Sequence, residues 1–132
     1  MINPSLLLRR ALLADAVFSG TSAVVLTLGA GALAPVLNLP DALLRETGLF
    51  LIFYAALVGW LGTRQTLPKA VVWFVVAGNA AWTLASIALL LSGLVAPNLL
   101  GEVFVVAQAI ATGVFAELQY VGLRRSSGPV TA

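Results

Sequence analysis

Residues 70–93, AVVWFVVAGNAAWTLASIALLLSG, decide the fold class of this chain. The stretch carries no charged residue and, at about 1.5 Å per residue, is long enough to cross the hydrocarbon core of a bilayer. Four of its residues recur at intervals of three and four and therefore share one helix face: Asn79, Trp82, Thr83 and Ser86. The sequence predicts a transmembrane helix whose polar face must find partners inside a bundle.

Composition extends this interpretation to the whole chain. Of its 132 residues, 61% are hydrophobic and 9% are charged, whereas soluble domains carry about 25% charged residues. Cysteine and histidine are both absent, which excludes disulfides, Cys or His metal sites and histidine-dependent catalysis. We therefore expect a single membrane domain over 1–132, an all-α integral membrane four-helix bundle with no cofactor, no metal ion and no enzymatic activity.

Turn signals divide the chain into four apolar segments. Ala34-Pro35 marks the end of the first, residues 63–68 form a polar loop, and Ser92-Gly93 follows the third. The predicted transmembrane helices cover about 8–34, 43–62, 70–93 and 98–123. Such short connections predict two tandem hairpins.

The positions of the basic residues predict the orientation in the membrane. In a four-span arrangement, six of the seven basic residues fall at the end that holds both termini: Arg9, Arg10, Arg64, Lys69, Arg124 and Arg125. Arg45 alone falls at the other end. By the positive-inside rule, both termini are expected in the cytoplasm, and the chain is expected to be a multi-pass protein of the plasma (inner) membrane.

The two halves of the chain contain similar short segments in the same order. Residues 14–19 (ADAVFS) can be set against 78–83 (GNAAWT), and residues 60–64 (WLGTR) against 120–124 (YVGLR). One interpretation is a duplicated hairpin, which would give parallel repeats related by a pseudo-twofold axis along the membrane normal. The other is chance similarity, which is common between apolar helices.

Each predicted helix supplies one polar residue to the same half of the membrane. Measured from the basic residues, Asp15 lies roughly 8 Å deep, Glu117 roughly 10 Å, and Asn79 and Tyr54 roughly 15 Å. Such groups turn inward and find each other, because an unpaired polar group in hydrocarbon costs several kcal/mol. We expect these four residues to form a substrate- or ion-binding site, with a structural polar face that comprises Ser19, Ser22, Trp82, Thr83 and Ser86.

Three interpretations of this polar set stay open. In the first, it only holds the bundle together, with Asp15 and Glu117 paired to Arg9, Arg10 or Arg124. In the second, the two carboxylates form a proton- or cation-binding pocket that opens to the cytoplasm. In the third, the set is an interface for a partner protein.

Part of the first helix resembles a known family. Asn3-Pro4 followed by residues 11–17, ALLADAV, is similar to the first helix of the small multidrug resistance transporters. Those are four-helix proteins whose first helix carries an essential membrane-embedded glutamate. The resemblance implies a transport function in which Asp15 is the counterpart of that glutamate.

We weigh two main functions. The first is a non-catalytic accessory or assembly subunit, or a homo-oligomeric bundle, with small-residue faces for lateral association at Ala55 with Gly59 or along a stripe that begins at Ala77. The alternative is a small proton- or cation-coupled transporter that uses Asp15 and Glu117. The expected partners are the lipid bilayer and either a membrane protein or further copies of the chain, with no nucleic acid. A lipid, quinone or pigment site between the helices would leave only an apolar groove near Trp82 or Tyr54.

Overall fold

The computed structural model describes residues 1–127 of the chain. They form four α-helices: α1 (Leu6–Leu37), α2 (Asp41–Thr63), α3 (Lys69–Ser92) and α4 (Leu99–Arg124). All four helices are long and apolar enough to cross a membrane, and this confirms the predicted all-α architecture with four membrane-spanning helices. Successive helices run in opposite directions, so six basic residues collect at one end of the bundle. We call this the basic end and the opposite one the far end.

The first helix is longer than predicted at its far end. The sequence predicts that α1 stops at Ala34, whereas the structure continues it through Pro35 to Leu37. Pro35 lacks a backbone N–H, so one i→i−4 hydrogen bond is missing close to the end of this helix. The helix then ends at Asn38, whose φ of 54° is left-handed and whose backbone N–H donates to the carbonyl of Ala34.

The helices pack in the order α2, α1, α4, α3, so that α2 and α3 are the two ends of an open row. Glycines permit the closest approaches along this row. A Cβ atom on Gly122 of α4 would lie 2.7 Å from Cα of Leu8 on α1. A Cβ atom on Gly48 of α2 would lie 2.6 Å from the backbone nitrogen of Thr27 on α1. Any side chain at these two positions would push the neighbouring helix away.

Two apolar clusters stabilise the bundle, one towards each end. The cluster at the basic end draws on all four helices and includes Leu12, Val58, Val75 and Leu123. The buried members of the far-end cluster come from α1, α2, α4 and the first loop, and α3 adds only the partly buried Leu90. Apolar packing therefore contributes less to the far half of α3 than to the rest of the bundle.

Backbone hydrogen bonds tie the two hairpins together at both ends. At the basic end, Ile2 and Leu67 exchange N–H to carbonyl bonds of 2.8 and 2.9 Å. At the far end, the backbone N–H of Asn98 donates to the carbonyl of Leu37 at 3.2 Å, and its side-chain amide donates to the carbonyl of Val36 at 2.7 Å. These bonds fix the outer ends of the bundle around the space between α2 and α3.

The two small-residue faces noted in the sequence have different environments. Ala55 and Gly59 of α2 pack against α1, so this face serves the bundle itself. Ala77, Ala81 and Ala85 of α3 are all exposed on the surface of the single chain. The alanine stripe is therefore not buried against another helix, and Ala85 lines the cavity described below.

Candidate functional site

Asp15 is the point at which all four helices meet. Its side chain is 1% exposed, and it accepts four hydrogen bonds. Ser19 Oγ, one turn further along α1, donates to Oδ1 at 2.9 Å. The other oxygen, Oδ2, accepts from the Tyr54 hydroxyl at 2.6 Å, from Gln119 Nε2 at 2.8 Å and from Asn79 Nδ2 at 3.1 Å. One carboxylate thus links α1 to α2, α3 and α4.

The donors around Asp15 are all neutral. The predicted pairing of this carboxylate with arginine is not formed: within residues 1–127, the one salt bridge joins Arg45 to Asp41 at 2.7 Å. Arg9 Nη1 instead donates to the carbonyl of Gly62 at 2.8 Å. Each of these donors replaces a hydrogen bond that the buried carboxylate would otherwise make with water. The cluster therefore holds its polar groups by hydrogen bonds between helices rather than by ion pairs.

The structure brings together three of the four residues predicted for the site. Asp15, Tyr54 and Asn79 belong to the cluster, whereas Glu117 is exposed on α4 and lies outside it. Gln119, which the sequence argument missed, takes the place expected for Glu117. It is fully buried, and its Oε1 also accepts a bond of 2.8 Å from Asn79 Nδ2.

The predicted polar face of α3 is turned towards α4. Trp82 Nε1 donates to Gln108 Oε1 at 2.8 Å, and Gln108 Nε2 donates to Ser86 Oγ at 2.9 Å. The hydroxyls of Thr83 and Thr112 share a hydrogen bond of 2.7 Å. These bonds, together with the one between Asn79 and Gln119, form a series of polar contacts that joins α3 to α4 along about two helical turns.

A half-open cavity of about 520 Å³ lies between the two hairpins on the far side of the Asp15 cluster. Three residues of the cluster, Ser19, Tyr54 and Asn79, line it as its floor. All four helices contribute to its walls, which are mostly apolar, and none of the lining side chains is charged. The remaining polar lining residues are Ser22, Thr47, Trp82, Ser86, Gln108 and Thr112. This size and lining are typical of sites that bind small, mainly apolar molecules.

Aromatic rings bridge the gap between α2 and α3. Phe50 of α2 and Trp82 of α3 are stacked, with ring centroids 5.6 Å apart and planes 14° from parallel. Phe50 is also stacked with Tyr54, with centroids 6.5 Å apart and planes 15° from parallel. All three residues line the cavity. The cavity therefore offers aromatic surface and hydroxyl groups, and the buried carboxylate of Asp15 lies behind its floor.

Comparisons with protein families, with characterised proteins and with solved structures found no match for this chain, so the resemblance to small multidrug resistance transporters stays confined to the first helix.

Proposed function

We propose that this chain is a non-catalytic multi-pass protein of the plasma (inner) membrane that binds a small lipophilic molecule between its two hairpins. In this role it acts as an accessory component or a homo-oligomer. The observation that carries the proposal is the cavity of about 520 Å³ beside the Asp15 cluster. Protein interiors are normally close-packed, and such a space has to be filled by a ligand, by lipid or by water.

The form of the bundle supports a ligand that arrives through the membrane. The contact between α1 and α4 closes one side of the row of helices. On the other side, the half-open cavity lies between α2 and α3. A lipophilic molecule dissolved in the bilayer can reach this opening without passing through water.

The test uses two glycines that both have open space around them, one inside the cavity and one outside it. A Cβ atom on Gly78 of α3 or on Gly31 of α1 would meet nothing within 4 Å, but only Gly78 lines the cavity. Gly78→Leu should fill the cavity without forcing the backbone to move, and Gly31→Leu is the matched control. Each protein is purified from its own membrane in mild detergent, and the bound small molecules are extracted and identified by mass spectrometry.

We expect a defined lipophilic molecule with wild type and Gly31→Leu, and its loss from Gly78→Leu. The proposal is wrong if wild type carries nothing beyond the bulk lipids, or if Gly78→Leu retains the same molecule in the same amount. Proteins that copurify in the same extract test the accessory role, because a homo-oligomer would bring none.

The orientation with both termini in the cytoplasm is part of the proposal. Six basic residues lie at the basic end. The one exception, Arg45, is paired with Asp41 at 2.7 Å and so adds little net charge to the far end. This distribution supports a cytoplasmic basic end under the positive-inside rule.

The internal repeat is also proposed, and two equivalences support it. Asp15 and Asn79, which the repeat sets against each other, meet in one cluster. The other equivalent pair of segments repeats one contact: a guanidinium over an aromatic ring four residues earlier. Arg64 lies 5.1 Å from the ring centroid of Trp60, and Arg124 lies 5.8 Å from that of Tyr120.

A second candidate function is a proton- or cation-coupled transporter. The Asp15 carboxylate favours it, because this group is buried and forms no ion pair within residues 1–127. In proteoliposomes, Asp15→Asn should then abolish coupled flux. Glu117→Gln tests the other predicted carboxylate in the same assay, and its exposed position leads us to expect little change. Flux that survives in Asp15→Asn would exclude this mechanism.

A further inference from the structure

One wall of the cavity is aromatic. The rings of Tyr54, Phe50 and Trp82 follow one another with nearly parallel planes, across both α2 and α3. Aromatic rings prefer offset stacking on other flat rings, and a saturated ring cannot approach them in the same way. The wall therefore favours a ligand that contains a flat conjugated ring.

The charges around the cavity favour an uncharged ligand. No charged side chain lines it. Asp15 lies behind the floor, where its two oxygens already accept four hydrogen bonds. Moving an ion from water into this apolar space would carry a large desolvation penalty, and the Asp15 carboxylate does not line the cavity and so makes no direct contact there to offset it.

The free polar groups of the cavity are hydroxyls. Ser22 and Thr47 both line it, and neither belongs to the hydrogen-bonded clusters of residues 1–127 described above. The amide of Gln108, by contrast, is already bonded to Trp82 and Ser86. A hydroxyl can donate to an oxygen acceptor of a ligand, and a carbonyl oxygen is such an acceptor.

We infer, on the basis of the proposed function, that the ligand is an uncharged lipophile with a flat conjugated ring, carbonyl oxygens on that ring and an apolar tail, which is the chemistry of a quinone. The ring lies against the wall formed by Phe50 and Trp82, and a carbonyl oxygen accepts a hydrogen bond from Ser22. The apolar tail lies along the aliphatic part of the cavity or extends into the bilayer through the opening between α2 and α3.

The experiment compares two probes that differ only in the ring. One is a decyl-substituted para-benzoquinone, and the other is the corresponding decyl-substituted cyclohexane dione, which keeps both carbonyl groups but is not flat. Dissociation constants for each are measured by equilibrium dialysis against wild type, Phe50→Leu, Ser22→Ala and Phe53→Leu. Phe53 is the matched control, because it lies on the same helix, is exposed and does not line the cavity.

We expect the quinone to bind wild type more tightly than the dione. A stacked pair is worth about 0.5–1.5 kcal/mol, so Phe50→Leu should weaken quinone binding about 2- to 12-fold and leave dione binding unchanged. Ser22→Ala should weaken both probes by the same factor, because both carry the carbonyl group. Phe53→Leu should change neither.

The possible failures are distinguishable. The quinone assignment would be overturned by equal affinity for the two probes, or by an unchanged quinone affinity in Phe50→Leu. The loss of the native lipophile from Gly78→Leu would in that case still support the cavity as a binding site. Tighter binding of tetraphenylphosphonium than of the quinone would overturn the assignment in favour of a lipophilic cation. If neither probe binds and wild type carries no native lipophile, the proposed function falls as well.

Discussion

Moving the buried carboxylate from α1 to α3 tests whether the Asp15 cluster acts as one unit. The perturbation is the exchange Asp15→Asn with Asn79→Asp, which keeps one carboxylate and one amide in the same place. Asn79 Nδ2 lies 3.1 Å from Asp15 Oδ2, and Gln119 bonds to both residues. Because the two positions share one partner, the cluster should accept the carboxylate on either helix after the amides rotate.

The single variants should differ widely in stability. Asn79→Asp places two carboxylates in contact, and two unit charges about 4 Å apart repel by about 4 kcal/mol at an effective dielectric constant of about 20. Uptake of a proton by the pair would lower that figure. Asp15→Asn replaces the charge-assisted hydrogen bonds of the carboxylate with weaker neutral ones, and the new amide NH2 group faces other hydrogen-bond donors. Together these changes should lower the free energy of unfolding by about 1–2 kcal/mol. If the cluster is one unit, the double variant should be at least about 2 kcal/mol more stable than the sum of the single effects.

The assay is the free energy of unfolding from denaturing-detergent titration of the purified protein in mixed micelles. The control is Asn79→Asp combined with Glu117→Gln, which removes a negative charge from an exposed position outside the cluster. This control should not restore stability. Additive single effects in the exchange, or an equal rescue by Glu117→Gln, would refute the geometry described for Asp15 and would support the pair of carboxylates expected from the sequence.

Two further predictions concern α4. Gln119→Leu should destabilise the protein by about 2–3 kcal/mol, because it removes a donor to the Asp15 carboxylate. Glu117→Gln should change the unfolding free energy by less than about 0.5 kcal/mol. Equal effects of the two variants would contradict the buried position of Gln119 and the exposed position of Glu117. Gly122→Ala should destabilise the protein by about 1–3 kcal/mol, because the new methyl group clashes with Leu8. Gly78 of α3 has open space around it, so Gly78→Ala should instead stabilise the protein by up to about 1 kcal/mol through the higher helix propensity of alanine. The same detergent titration checks both comparisons.

The number and type of the helices could be predicted because they depend on local properties. Apolar length, polar loops and the absence of charge inside the spans are all visible in the sequence, and each predicted span overlaps one helix of the structure. The order of packing could not be predicted. It depends on which faces allow close approach, and glycines such as Gly48 and Gly122 are recognisable as contact points only when the partner backbone is known.

The position of Glu117 shows why the fourth site residue was missed. Steps of four residues lead from Ala109 through Gly113 to Glu117. At about 100° per residue, each such step rotates by about 40°, so Glu117 lies about 80° around the helix from Ala109. Alternating steps of three and four keep to one face, and this pattern leads from Ala109 through Thr112 and Ala116 to Gln119, all of which are buried. The buried face of α4 is therefore the one that carries Gln119, and Glu117 lies beside it.

The distribution of polar contacts determines how the cavity can open. The Asp15 cluster fixes all four helices at one level, and the bonds from Trp82 and Thr83 to α4 hold α3 against its own hairpin. Beyond them, α3 presents Ile87 and Leu91 on its surface, 46% and 82% exposed. In the far half, the stacked rings of Phe50 and Trp82 bridge α2 and α3. Phe50 takes part in none of these hydrogen bonds, and its stacking on Trp82 is worth about 0.5–1.5 kcal/mol beyond the area it buries. Movement of the Phe50 ring can therefore admit a molecule from the bilayer between α2 and α3 while the polar contacts stay intact.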